Sequence, residues 1–167
     1  EGWLNRNAFK GLESWQGNVR FVHYSLPMGL ACEELSPPAR FGDTISLTRV
    51  CLPPERKVRA GTALPVALHW HTDAPLDRRY KASLQLLNAQ NQVVGQQDGE
   101  PGGGGLPTSG WQPGEAVVDQ RGVYAPIGAP PVDYRLIVAL YDSETGERLP
   151  TPEGDALTLA EVSVERP

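Results

Sequence analysis

Tyr134-Arg135-Leu136-Ile137-Val138-Ala139-Leu140-Tyr141 alternates more cleanly than any other stretch of the chain. Tyr134, Leu136, Val138 and Leu140 recur at every second position, which puts them on one face of a strand with the apolar side toward a core. The same period of two continues upstream. Leu64, Val66, Leu68 and Trp70 share a face over 64–70, with Pro65 suited to a strand start or an edge. Tyr80, Ala82, Leu84 and Leu86 do the same over 80–86, and Ile45 and Leu47 alternate with Thr44, Ser46 and Thr48. Asn88-Ala89-Gln90-Asn91 reads as a hairpin turn into a strand over 93–97, and residues 116–124 form a further strand. Asp142-Ser143-Glu144-Thr145-Gly146 is a turn in which Gly146 suits the left-handed position. The last strand, about 156–165, changes face near Ala160, which predicts a bulge.

Short strands at this spacing, with turn residues between them and no helical period after residue 40, predict an all-β, antiparallel β-sandwich, Ig-like in class. A jelly roll is the competing layout, because the pattern leaves strand order open. Ahead of the sandwich, Leu4, Ala8, Leu12 and Trp15 share a helical face, predicting a short N-terminal helix over 3–16 that stops at Gly17-Asn18. A strand over 19–24 should follow and end at Pro27, and residues 25–40, with Pro27, Gly29, Pro37 and Pro38, read as an irregular connection. The expected organisation is an appendage over 1–38 packed on a sandwich over 39–167.

The chain has 167 residues, a formal net charge of −5, and 18 glycines and 16 prolines, about a fifth of its length. Its acidic balance argues against a nucleic-acid partner, which needs a basic face. No apolar run reaches the roughly 20 residues of a spanning helix. Glu1 opens the chain and Met28 is its only methionine, so a fragment or processed product is expected. Arginine (12) outnumbers lysine (3) without pointing to a function. Cys32 and Cys51 could close a disulfide loop of about 20 residues, contributing roughly 3 kcal/mol, or remain two unpaired thiols.

His69 and His71 flank Trp70 on one strand face, but no third ligand accompanies them, so no metal site and no cofactor is expected. Gly102–Gly105 lacks the Lys-Ser/Thr and helix of a phosphate loop. Glu33 and Glu34 point apart in an extended chain, and no nucleophile elbow is present, so no catalytic residue is assigned. The connection over 98–115 gathers Asp98, Thr108, Ser109 and Trp111. An exposed indole beside hydroxyl and carboxylate groups would suit glycan contact; the alternative is that Trp111 folds back as a lid over the sandwich end. Trp3 and Trp15 could face lipid headgroups or dock on the sandwich, and Arg6 with Lys10 is too little to make a basic patch.

An ordered series of short motifs runs through the chain. It comprises Phe41-Gly42-Asp43, Arg59-Ala60-Gly61-Thr62, Ala74-Pro75-Leu76-Asp77, Gln97-Asp98-Gly99, Pro107-Thr108-Ser109, Trp111-Gln112-Pro113-Gly114-Glu115 and Tyr141-Asp142 followed by Thr145-Gly146-Glu147-Arg148-Leu149. Together with Trp15-Gln16-Gly17-Asn18-Val19-Arg20, Tyr24 and Pro27 near the start, it resembles the soluble C-terminal β domain of multi-spanning bacterial glycosyltransferases. These are polyprenyl-phosphate-sugar-dependent, protein-mannosyltransferase-like membrane enzymes. The resemblance implies a non-catalytic accessory domain on the extracytoplasmic face, whose partner is the membrane-embedded region of a parent chain. It would support that region or contact the acceptor or glycan. A free-standing carbohydrate-binding module or a protein-protein scaffold domain are the alternatives.

Overall fold

The computed structural model describes residues 2–26 and 29–167, with 2, 5 and 6 described by backbone only. Two sheets face each other. The first contains β3 (Ala31–Phe41), β4 (Ile45–Leu52), β6 (Ala63–Thr72) and β9 (Ala116–Tyr124), in that order and antiparallel throughout. The second has the order β5-β11-β10-β7-β8, from β5 (Lys57–Arg59), β7 (Tyr80–Leu87), β8 (Val93–Gly99), β10 (Asp133–Asp142) and β11 (Leu157–Glu165). Only β5 runs parallel to its neighbour, β11. The alternating residues named above meet between the sheets: Leu64, Val66, Leu68 and Trp70 from β6 face Leu84, Leu136, Val138 and Leu140, all with no exposed surface. Each such side chain stabilises the fold by roughly 1.5–3 kcal/mol. Phe41 meets Trp70 edge to face, ring centroids 5.2 Å apart.

The chain changes sheet on either side of the short β5, then between β6 and β7, between β8 and β9 and again between β9 and β10. At the last crossing the Tyr134 hydroxyl donates to the Pro130 carbonyl at 2.9 Å, pinning the entry to β10. The expected bulge in β11 is present, where the pairing of Leu136 with Ala160 shifts to Ile137 with Thr158.

A two-stranded ribbon of β1 (Phe9–Gln16) and β2 (Val19–Ser25) lies on the outer face of the first sheet. The helix expected over 3–16 does not form: helix α1 covers Gly2–Asn7 alone, and Phe9–Gln16 is a strand. The physical reason lies in β2, whose backbone N–H and C=O groups need a ladder partner, which a helix cannot supply. Phe9 is then fully buried against Cys51 and Ala67, giving the strand an anchor. The close approach is made by two glycines. A Cβ on Gly122 would stand 2.9 Å from the Gly11 Cα, and one on Gly11 would stand 2.4 Å from the Ala63 Cβ. Pro27, expected to end β2, lies outside the described residues.

Residues 31–38, expected as part of a connection, belong instead to the edge strand β3. Its prolines are absorbed where the register shifts between Glu34 and Ala39, and an edge strand needs ladder donors on one side only. The boundary expected at residue 38 therefore falls inside a strand. Cys32 and Cys51 face each other across β3 and β4 and are disulfide-bonded. Introducing Gly122→Ala should cost about 1–3 kcal/mol through overpacking. Hydrogen exchange should show the loss concentrated in β1 and β2, with the β6 and β10 amides still protected.

Candidate functional site

The connection from β8 to β9 is organised around two buried charges. On β9, Val117, Asp119, Arg121 and Val123 face inward, opposite Trp70, Leu68, Val66 and Leu64 of β6. Arg121 is 2% exposed and Asp119 is 0% exposed. The Arg121 guanidinium donates to Asp119 Oδ2 at 2.6 Å, to Gln97 Oε1 at 2.6 Å, to the Ala82 carbonyl at 3.1 Å and to the Gly99 carbonyl at 2.7 Å. Asp119 Oδ1 accepts the Gly102 N–H at 2.8 Å. One side chain thus ties β9 to β7 and β8 of the opposite sheet, and its carboxylate partner holds the glycine-rich turn. Gly102 and Gly103 adopt φ of 64° and 65°, which a glycine enters without Cβ strain.

Further along, Thr108 is fully buried, accepting the Tyr80 N–H at 2.9 Å and donating to the Arg78 carbonyl at 3.0 Å. Trp111 is 4% exposed, packed into the core, and its indole N–H donates to the Leu106 carbonyl at 3.0 Å. Of the two readings of Trp111, exposed platform and lid, the structure has the lid, and Thr108 is a clamp between strands. A polar connection cannot close the sandwich end by itself, so its largest apolar side chain, Trp111, is drawn inward. Ser109 is exposed, and Asp98 is exposed on the outer face of β8, where it accepts a hydrogen bond from the Gln96 side chain. Of the four expected contact residues, only these two reach solvent.

Asp98 borders a polar cleft of about 590 Å³ that the sequence reading missed as a unit. Gln97, Asp98, Gly99 and Glu100 form one wall; Lys81 enters from β7 and Arg79 from just before it, Ser143 and Glu144 from the turn after β10, Lys10 from β1, and Gly103 and Gly104 from the glycine-rich turn. Arg79 binds Glu100 through two parallel hydrogen bonds of 2.6 and 2.5 Å, a bidentate arrangement that fixes that wall. Asp142 shapes the turn below it by accepting the Glu144 N–H at 2.8 Å and the Thr145 N–H at 3.2 Å. Those amides, with Arg78 at 3.0 Å, hold its carboxyl below the usual range. Burial pushes the neighbouring Tyr141 hydroxyl up, and the Asp98 charge adds to the shift. Donors and acceptors thus both line an open space, the arrangement that polyhydroxyl ligands satisfy. The signal that could have found the cleft is the clustering of charges at strand ends: Arg78-Arg79 before β7, Asp98 near the end of β8 with Glu100 just after it, and Glu144 after β10.

His69 and His71 lie on the outer face of β6, half-buried beside the fully buried Trp70. His71 stands 3.4 Å from Asp73. His69 Nε2 lies 3.8 Å from Cys51 Sγ, and burial followed by the Arg49 charge lowers its pKa. Among the described residues no group of three or more His, Cys, Asp or Glu side chains converges for a metal. Glu33 pairs with Arg56 at 2.8 Å, and Glu34 pairs with Arg49.

No family model matches the chain, and no curated protein matches it. Among solved structures, it is similar to a Niemann-Pick type C2 protein from the Japanese carpenter ant. That likeness has 8% identity and a TM-score of 0.45, over 77% of this chain and 93% of that one. It is also similar to the Pseudomonas fluorescens alkylpurine DNA glycosylase AlkC bound to DNA containing an abasic site analog. There the identity is 10% and the TM-score 0.37, over 78% of this chain and 31% of that one. Both likenesses are too slight to bear on function, and the fold rests on the strand pairing itself.

Trp111→Ala should destabilise the domain by about 3–5 kcal/mol, because it empties a core site and orphans the Leu106 carbonyl. Chemical denaturation reads this directly; a loss below about 1 kcal/mol would mean that the ring is not held in the core.

Proposed function

We propose that the chain is a non-catalytic, extracytoplasmic accessory domain of a membrane glycosyltransferase, Ig-like in topology, that contacts glycan or acceptor through the cleft at Asp98. The observation that carries this reading is the cleft itself. Its 590 Å³ is bounded by both charge signs, with Lys81 and Asp98 presented on the outer sheet face and Ser143 adding a hydroxyl. Such an array exchanges hydrogen bonds with sugar hydroxyls without the apolar lining that a lipid or drug-like ligand requires.

Three further features support it. The Cys32–Cys51 bond suits an oxidising compartment outside the cytoplasm. Two cations of the cleft wall are paired, Arg79 with Glu100 across the wall and Lys10 with Glu13 on its own strand, which favours binding over catalysis. The order of sheet changes and the Tyr134 corner favour an Ig-like layout over a jelly roll. Among the described residues no helix is long and apolar enough to cross a membrane, and the spanning part belongs in this reading to the parent chain. A free-standing carbohydrate-binding module would use the same cleft.

Glycan-array binding of the chain beside the Asp98→Ala, Lys81→Ala double variant tests the reading. A specific oligosaccharide hit that the double variant loses, at unchanged melting temperature, is the expected result. A blank array, or a hit that the variant keeps, would remove the cleft as the contact site.

A further inference from the structure

The outer face of the second sheet is a trough. β10 and β7 pair with Arg135 opposite Leu87, Ile137 opposite Gln85, Ala139 opposite Ser83 and Tyr141 opposite Lys81. β8 adds Gln96 beside Gln85 and Asp98 beside Ser83. Residues directly opposite in a ladder share a face, here the one turned away from Leu84, Leu136 and Val138. An outward face of an antiparallel sheet is ordinarily solvated. Ser83, Gln85, Leu87, Ile137 and Ala139 are nonetheless all buried. Walls flank that floor: Asn91 and Val93 border it on one side, and the segment from Arg148 to Thr158 borders it on the other.

Two hollows share the trough. The Asp98 cleft occupies one end, and a second hollow of about 420 Å³ occupies the other. Lys81 lines the first and Leu87 the second. At about 3.4 Å per residue, roughly 20 Å of β7 separates these two positions. A polar row joins them. Gln85 Nε2 donates to Ser83 Oγ at 3.0 Å and to Gln96 Oε1 at 3.5 Å, and Gln96 Nε2 donates to Asp98. Gln85 is 7% exposed, yet its carbonyl oxygen accepts from no described residue and is open to solvent. Buried amides are ordinarily satisfied at both ends, so this oxygen is an unmet acceptor on the floor of the second hollow.

Charge balances in both hollows. In the second, Arg135 and Arg148 accompany Glu153 and Asp155; Arg148 pairs with Asp155 at 3.2 Å, and Arg135 donates to Asn91. In the first, Lys10, Arg79 and Lys81 are matched by Asp98, Glu100 and Glu144. Neither sign is in excess for a charged ligand, whereas hydroxyl groups donate and accept and so use both. Leu87, Val93 and Ile137 add an apolar strip that the C–H face of a sugar ring can cover. β7 and β10 are interior strands with their ladders filled on both sides, so the floor offers no backbone groups to a peptide strand.

We infer that the outer face of the second sheet is one extended binding groove, in which a second subsite at Gln85 and Arg135 works with the Asp98 cleft, and that its ligand is a linear, uncharged oligosaccharide longer than a disaccharide. The inference rests on the sugar-contact reading and adds to it the length and charge of the ligand.

Calorimetric titration of the chain with linear gluco- and manno-oligosaccharides, from disaccharide to hexasaccharide, tests it, read beside amide NMR shifts. The hexasaccharide of the recognised series should bind at least about tenfold more tightly than its disaccharide. It should shift Gln85 and Ile137 as well as Lys81 and Asp98. The Arg135→Ala, Arg148→Ala double variant should cancel that advantage. Val93→Arg, at an exposed edge-strand position, fills the second hollow from the other wall and should do the same. It keeps the test readable if losing the Arg148–Asp155 pair loosens its loop. A disaccharide that binds as tightly as the hexasaccharide, with shifts confined to Lys81 and Asp98, would overturn the inference and leave the sugar-contact reading standing. An advantage of length that both variants keep would overturn it as well. Shifts confined to the second hollow at every length, or no binding of any member, would overturn both readings. Tighter binding of a polyuronate of equal length would overturn the uncharged class.

Discussion

A buried guanidinium holds the two sheets in register at one end of the sandwich. Arg121 sits where a β9 side chain must point into the core, and Val66 occupies the matching place on β6. Charge there is costly unless fully satisfied. Satisfaction comes from the opposite sheet: two carbonyls and the Gln97 amide oxygen, with Asp119 as counter-ion. The same carboxylate then fixes Gly102, and the glycine-rich turn forms one border of the Asp98 cleft. Packing, sheet closure and the polar site thus share one ion pair.

The outer layer follows a different logic. The ribbon approaches the first sheet through absence of side chains, at Gly11 and Gly122, and is anchored by a single deep ring, Phe9. The disulfide joins the edge strand β3 to β4 on the same side of the molecule, where Cys51 also receives Phe9. Around this anchor the base of the ribbon is packed on the sheet, and its outer half carries apolar groups in solvent.

Strands with one buried face were legible because alternation is a local property: β6, β7 and β10 are each written in their own residues. Where a partner decides the conformation, local pattern misleads. Residues 9–16 carry helical spacing at Leu12 and Trp15, yet β2 recruits them as its ladder, and those two side chains end exposed. Prolines 37 and 38 conceal β3, since the bulge that accommodates them is set by pairing with β4. Trp111 illustrates the same limit at the site. An indole in a polar loop reads as platform or as lid, and the choice depends on the unfilled end of a core that the loop itself does not encode. Asp119 and Arg121 could have been seen as charges interrupting an inward-facing alternation, but the other three acceptors of Arg121, at Ala82, Gln97 and Gly99, come from strands distant in sequence.

The most direct measurement is urea denaturation of Arg121→Met beside the Arg121→Met, Asp119→Leu double variant. If the buried pair joins the sheets as described, the single variant loses about 3–5 kcal/mol by stranding a buried carboxylate, and the double variant regains a large part of it. A single variant within about 1 kcal/mol of the native chain would contradict the account, since Asp119 would then tolerate the loss of its counter-ion.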